Sequence, residues 1–185
     1  MSNVSNVTAG KPNIEGAIYW APLGTTLPDD TEDELTSFTE LGYASEDGIT
    51  NTNSPESEVI RAWGGDLVLI VQSSKDDIFK VKLIEALKAD VLKAVYGEDN
   101  VDGTLASGMA LTVNAKEAQA ASWVFDMIMR DGTKKRIVIP NAKITELGDI
   151  VYADNEVVGY EITLTCLPDE NGNNHYEYFL EAQSE

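Results

Sequence analysis

Residues 123–139 read WVFDMIMRDGTKKRIVI. Trp123, Phe125, Met127 and Met129 alternate with Asp126 and Arg130, and a period of two marks a half-buried strand. Asp131-Gly132 follows, a pair that tolerates the positive φ angles of a tight hairpin turn, and Lys134 to Ile139 brings the chain back. An antiparallel hairpin is therefore expected at the centre of the chain, and its neighbours decide what it belongs to.

Downstream, strand-like Lys143 to Leu147 ends at Gly148-Asp149, and Ile150 to Ala153 is a further short signal. In Val157 to Leu167, the residues Val158, Tyr160, Ile162, Leu164 and Cys166 share one face, and a last short strand is expected over His175 to Leu180. Upstream, strands are expected at Ile14 to Ala21, Phe38 to Tyr43, Gly48 to Thr52 and Met109 to Ala115. The run Asp66-Leu67-Val68-Leu69-Ile70-Val71-Gln72 is continuously apolar at its centre, as expected of a strand covered on both faces. Between these lies a polar, hairpin-like excursion, Asn51 to Gly65.

Only residues 75–96 carry a helical period, in Ile78, Ile84, Leu87, Val91 and Val95. Ser74 with Asp77 has the spacing of a capping box, and Gly97 can end the helix. With Leu87 on the buried face, its truncation to Ala is expected to cost about 2–5 kcal/mol. The pattern is mainly β with one flanking helix: an antiparallel sandwich or barrel spanning residues 14–185, preceded by a flexible arm at 1–13 that orders only against a partner.

The chain has 185 residues, 43% apolar, which suits a single domain with one core. Its formal net charge of -19 opposes binding to a phosphate backbone. The charge is segregated. Residues 12–60 hold eleven acidic and no basic side chains, residues 144–185 ten acidic and none basic, and residues 61–143 twelve basic against eleven acidic. Such segregation suits a solvated acidic surface, or an assembly in which the acidic surface of one copy meets basic residues of another. No apolar run approaches the roughly 20 residues of a bilayer span, and no secretory leader is legible at the start, so a soluble chain made in the cytoplasm is expected.

Catalytic groups are scarce. With one His and one Cys, nucleophile and base constellations are hardly available. His175, beside Asn173 and Asn174, reads as a structural turn residue, and Cys166, on an apolar strand face, as an inert buried thiol. The Asp29 to Glu34 run gathers carboxylates without the spacing of a calcium loop, and in Asp169 to Asn173 the Gly is fourth where such a loop needs it sixth. Phosphate-cradling Gly motifs and paired zinc ligands are absent from the sequence. No enzyme, cofactor or metal site is expected. Trp20 and Trp123 lie in strand patterns and read as core, whereas Trp63 fits either a core or an interface anchor.

Several segments resemble the major tail tube proteins of long-tailed bacteriophages. They are Gly16 to Pro22 with Gly24 to Pro28, Leu41-Gly42-Tyr43 with Ser45 to Ile49, Val91 to Gly97 with Asn100-Val101, and Gly159 to Thr165 with Tyr178 to Ala182. The resemblance implies a virion structural protein, made in the host bacterial cytoplasm, whose hexameric rings stack into a hollow tube. DNA leaves the capsid through that tube without specific binding. Tape-measure, tail terminator and distal tail proteins are the implied further partners, with no membrane contact. The loop containing Asn51, Asn53, Glu56, Glu58, Arg61 and Trp63 is implied to reach an adjacent subunit or ring. The acidic excess would then keep DNA from adhering to the lumen.

A tube protein of a secretion or contractile-injection system shares this architecture, and a monomeric adhesive β-module is the alternative from another class. Lys134, Lys135 and Arg136 are a candidate basic patch for pairing across a subunit boundary. Reversing the charge at these three is expected to impair assembly, as seen by electron microscopy; normal assembly would count against the pairing.

Overall fold

The computed structural model describes residues 2, 4–13 and 16–182. In chain order the strands are β1 (Gly10–Pro12), β2 (Ile18–Pro22), β3 (Thr39–Glu40), β4 (Ala44–Arg61) and β5 (Leu67–Leu83). Helix α1 (Ala89–Tyr96) follows, and then β6 (Val101–Thr104), β7 (Gly108–Leu111), β8 (Ala121–Met129), β9 (Lys134–Leu147), β10 (Tyr160–Cys166) and β11 (Tyr176–Leu180). The strands pair antiparallel throughout. The main sheet runs β3-β2-β8-β9-β10-β5-β4, with β1 added to β8 and β11 to β9; β6 and β7 form a small separate hairpin.

The hairpin at 121–147 sits at the middle of this order, with Ile128 opposite Lys134 and Phe125 opposite Ile137. Its second strand is longer than the sequence suggests, because Lys134–Ile139 and Lys143–Leu147 are one strand continuing through Pro140. One edge of β9 pairs with β8. The other edge takes β11 at Lys134–Val138 and β10 at Ala142–Leu147. Pro140 lies where the partner changes; it has no N–H for the ladder, and its carbonyl accepts a hydrogen bond from the Ser122 hydroxyl (2.7 Å).

The sheet folds over on itself. Phe125 on β8 and Phe79 on β5 are three strands apart in the order, about 14 Å in a flat sheet. Their ring centroids are nevertheless 5.8 Å apart. The result is sandwich-like, with Trp123, Phe79, Phe125, Ile18, Leu41, Leu83, Ile139, Ile162 and Leu164 fully buried between the layers. The one-sided face expected for Tyr160, Ile162, Leu164 and Cys166 is observed, as is the burial of Trp123; Trp20 is half-buried against the core. In the N-terminal segment, Gly10–Pro12 pairs with β8 of its own chain. The start of the strand expected from Ile14, at Ile14 and Glu15, lies outside the described residues, and Ile150 to Ala153 forms no strand.

The helix is shorter than expected. Residues 75–83 belong to β5, and only Ala89–Tyr96 is helical. Phe79, Val81 and Leu83 point inward while Lys80 and Lys82 point outward, so a period of two overlies the helical one, and six rungs with β10 select it. Ser74 therefore faces Glu56 across the β4–β5 ladder and caps no helix. Lys88 occupies the N-cap without a side-chain capping bond. Gly97 closes the helix by donating to the Lys93 carbonyl (2.8 Å) with φ 97° and an extended ψ of 145° rather than the left-handed helical pair. Val91, Leu92, Ala94 and Val95 are buried, and Tyr96 meets Tyr160 edge-on at 5.8 Å. Leu87, ahead of the helix, is 69% exposed, contrary to its expected burial.

At Gly42, φ is 82°, and a Cβ there would lie 2.1 Å from the Glu85 carboxylate, which accepts the Tyr43 N–H at 3.0 Å. The Leu41-Gly42-Tyr43 segment thus needs its Gly twice over, for the backbone angle and for the close approach.

Chemical denaturation distinguishes the two readings of residues 75–96. Phe79→Ala should cost about 3–5 kcal/mol, the loss for a fully buried aromatic, and Leu87→Ala no more than about 0.5 kcal/mol. A cost above about 2 kcal/mol at Leu87 would restore the longer helix.

Candidate functional site

From Asn53 onward β4 and its partner residues in β5 leave the body as a two-stranded ribbon, paired from Asn53↔Asp77 to Arg61↔Leu67. At roughly 3.3 Å per residue it projects by about 25 Å. The candidate residues Asn51, Asn53, Glu56, Glu58 and Arg61 all lie on β4, and Trp63 lies in the turn at its tip. Arg61 Nη1 donates to the Gly65 carbonyl (3.0 Å) and braces the turn; Trp63 is fully exposed, which excludes the core reading. Glu56 is tied across the ribbon by the Ser73 hydroxyl on its carbonyl (3.2 Å) and the Ser74 hydroxyl on its carboxylate (3.4 Å).

The apolar run that should be covered on both faces is covered on neither. Leu67, Val68, Leu69, Ile70 and Val71 are between 43% and 63% exposed, and Val59 and Ile60 opposite them are also exposed. Cross-strand pairing puts Val59 with Ile70 on one face and Ile60 with Leu69 on the other. A two-stranded ribbon is at best marginal alone in water, and an apolar one needs a partner surface.

The ribbon is anchored at its root by a buried carboxylate that the sequence reading assigned to a helix capping box. Asp77 is 1% exposed; its Oδ1 accepts the Asn51 amide (2.8 Å), and its Oδ2 lies 2.5 Å from His175 Nδ1. Asn51 is thus a root residue, turned toward its own chain. His175 also stands edge-on to Phe79 at 5.2 Å, tying the start of β11 to the ribbon. The legible signal was an Asp in step with inward-facing Phe79, Val81 and Leu83. Burial, and secondarily the charge of Asp77, pushes the Cys166 thiol up to about 12, in keeping with the inert thiol expected.

The basic patch divides. Lys134 is half exposed and 3.8 Å from Glu32. Lys135 pairs with Glu177 at 2.8 Å and lies over the Phe179 ring. Arg136 is 5% exposed and satisfied within its own chain, which corrects its place in a patch available to another subunit. Its Nε and Nη2 donate to the two Asp126 carboxylate oxygens, both at 2.7 Å, and Nη1 donates to the carbonyls of Asp30 (3.1 Å) and Asp33 (2.8 Å). This bidentate pair with two backbone acceptors holds the acidic loop onto the sheet.

In that loop, carboxylate oxygens of Asp29, Asp30 and Asp33 lie within 4.8 Å of one another. Asp30 Oδ1 accepts the N–H groups of Glu32 (2.6 Å) and Asp33 (2.7 Å), and Asp33 Oδ2 accepts that of Asp29 (2.9 Å). The backbone bonds hold the Asp30 carboxyl below its ordinary range. The Asp30 carboxylate thus staples the loop, and its stability contribution is complete above the ordinary Asp value and fades as pH falls through the lowered one.

Over residues 3–184 the chain matches the family described as phage tail tube protein. It belongs to that family. Comparison with curated proteins gives no match. The tail tube protein's role is structural, as a component of the phage tail. Its candidate functional site is the projecting ribbon, whose apolar side chains the described residues leave exposed.

Removing Asp126 strands the Arg136 guanidinium in the interior, so Asp126→Ala should lose about 3–5 kcal/mol in denaturant unfolding. Lys134→Glu should lose no more than about 1 kcal/mol, since its ion pair is exposed. A near-neutral Asp126→Ala would show that the buried pair does not hold the loop. At pH 8 the Cys166 thiolate fraction is on the order of 1 in 10,000, so a thiol reagent should label the chain only after unfolding.

Proposed function

We propose that this tail tube protein forms hexameric rings that stack coaxially into the hollow conduit through which DNA leaves the capsid for the host. The observation that carries the reading is the ribbon of β4 and β5, whose Val59, Ile60 and Leu67 to Val71 are exposed on both faces in the single chain. Contact with further copies would remove this apolar surface from water.

Strand edges support the reading. The outer edge of β4 and the outer edge of β9 beyond Ala142 have no strand partner among the described residues. Edges of this length are either protected or paired, and pairing between copies closes them.

Charge supports passage of DNA without adhesion. Lys80, Lys88, Lys134, Lys135, Arg136 and Lys143 each have an acidic partner in their own chain, namely Glu146, Glu40, Glu32, Glu177, Asp126 and Glu117. These cations are thereby less available to displace counterions from a phosphate backbone, and the net charge of -19 repels it. Tape-measure, tail terminator and distal tail proteins are the proposed neighbours of the assembled tube, in a virion put together in the bacterial cytoplasm.

Negative-stain microscopy of concentrated protein, alone and with the tail initiation complex, should show hollow rings or tubes. Leu69→Asp with Ile70→Asp should leave monomer stability within about 1 kcal/mol, since both sites are exposed, while abolishing rings and tubes. A chain that stays monomeric in both mixtures would overturn the proposal, and tubes formed by the double variant would remove the ribbon from it.

A further inference from the structure

The two layers of the body differ on their outer faces. In one layer Glu40, Tyr19, Val124, Val138 and Tyr176 stand in a single row across β3, β2, β8, β9 and β11. Asp126 and Arg136, next to the inward-facing Phe125 and Ile137, lie on its outer face, and Arg136 fastens the acidic loop there through the Asp30 and Asp33 carbonyls. In the other layer Thr50, Lys80, Thr163 and Glu146 form a row across β4, β5, β10 and the second half of β9, and Thr52, Ile78, Thr165 and Lys143 form the next. The intervening Phe79, Val81, Ile162 and Leu164 are buried in the core, so both rows face away from it.

This second face is rich in hydroxyls and balanced in charge. Lys80 reaches Glu146 (3.9 Å) across Thr163, whose hydroxyl donates to the same carboxylate (3.3 Å), and the Thr145 and Thr165 hydroxyls share a hydrogen bond (2.8 Å). Lys143 pairs with Glu117, and Lys82 stands opposite Glu161 in the ladder. Three lysines thus meet three glutamates in a chain whose net charge is -19.

Strand geometry decides which layer can face the bore of a ring. The outer edges of β4 and of β9 beyond Ala142, which have no strand partner among the described residues, both belong to the second layer. Six copies joined through those edges, four strands each, close a barrel of about 24 Å radius at a spacing of about 4.8 Å and a tilt of about 40°. Placed inside that barrel, about 10 Å away, the first layer would stand on a circle about 90 Å around, whereas six rows of five strands need about 140 Å. It fits only outside.

Resting on the tube reading above, we infer that the outer face of the β4–β5–β10–β9 layer lines the bore and that the acidic loop at 29–34 rides on the outside of the tube. The bore is then lined by hydroxyls and by lysines tied to glutamates, in place of an acidic lining. A passing phosphate backbone meets cations that already have carboxylate partners, so it gains little from counterion release and does not adhere.

The test is labelling of tubes that carry one introduced cysteine, the native Cys166 being buried. Lys80→Cys and, on the exposed acidic loop, Glu34→Cys are each treated with a small maleimide and with a maleimide coupled to ferritin, which is too wide for the bore. The small reagent should label both. The ferritin-coupled reagent should label Lys80→Cys at least tenfold more slowly than Glu34→Cys in tubes, and at a similar rate in monomers. Equal labelling in tubes, or a shielded Glu34→Cys beside an open Lys80→Cys, would overturn the inference while leaving the tube reading intact. Protection of Lys80→Cys from the small reagent would mean that a neighbouring copy covers this face and would sink it as well.

Thr50→Cys, in the same row, takes the place of Lys80→Cys if that variant does not assemble. Image reconstruction of wild-type tubes needs no variant: β4, β5, β10 and the second half of β9 should surround the bore, and the loop at 29–34 found inside it would overturn the assignment. Absence of rings and tubes from the wild-type chain would instead remove the tube reading and this inference with it.

Discussion

Strand β9 holds the two layers together. Its backbone is paired along one edge to β8 and along the other first to β11 and then to β10, with the change of partner at Pro140. A strand paired on both sides cannot slip without breaking two ladders and moving Ile137, Ile139 and Ala142 out of the core. Because β10 carries β5, and β5 carries β4, the register of β9 also sets where the ribbon emerges. The contact of Phe79 with Phe125 and that of His175 with Asp77 both bridge elements that only this arrangement brings together.

Electrostatics follow from the same arrangement. Along the chain the acidic residues are separated from the basic ones, which on its face calls for a second copy to balance them. Folding interleaves them instead: Glu32 and Glu40 from the first acidic stretch and Glu146 and Glu177 from the last lie beside Lys134, Lys88, Lys80 and Lys135 of the middle. Arg136 goes furthest, since it is buried with Asp126 and two loop carbonyls. Most of these pairs are partly exposed and contribute little individually to stability. Their effect is on the surface, where six of the thirteen cations are paired within the chain and the acidic excess remains.

In the ribbon the balance is reversed. Its backbone groups pair with each other, but its apolar side chains, Val59, Ile60 and Leu67 to Val71, stay exposed. The buried knot of Asp77, Asn51 and His175 at its root supplies the polar partners that a carboxylate in that position requires, and it ties the ribbon to β11 and so to the body. A firmly rooted ribbon with an exposed apolar surface is suited to present that surface to another molecule with little loss of conformational entropy.

How much of this was legible in the sequence depends on the range of the forces involved. The Trp123 to Ile139 hairpin, the one-sided face of β10, the inert Cys166 and the excursion after Asn51 follow from local rules of side-chain period, turn chemistry and burial, and they are read correctly from the chain. The helix is misread because residues 75–83 satisfy two periods at once, and only the pairing with β10 chooses between them. Arg136 is misread because a cation directly after two lysines looks like surface until Asp126 is seen opposite it in the ladder. The run Leu67 to Val71 is the clearest division. Its composition called for cover on both faces, whereas the tertiary structure leaves it exposed on both, because among the described residues only β4 pairs with that part of β5.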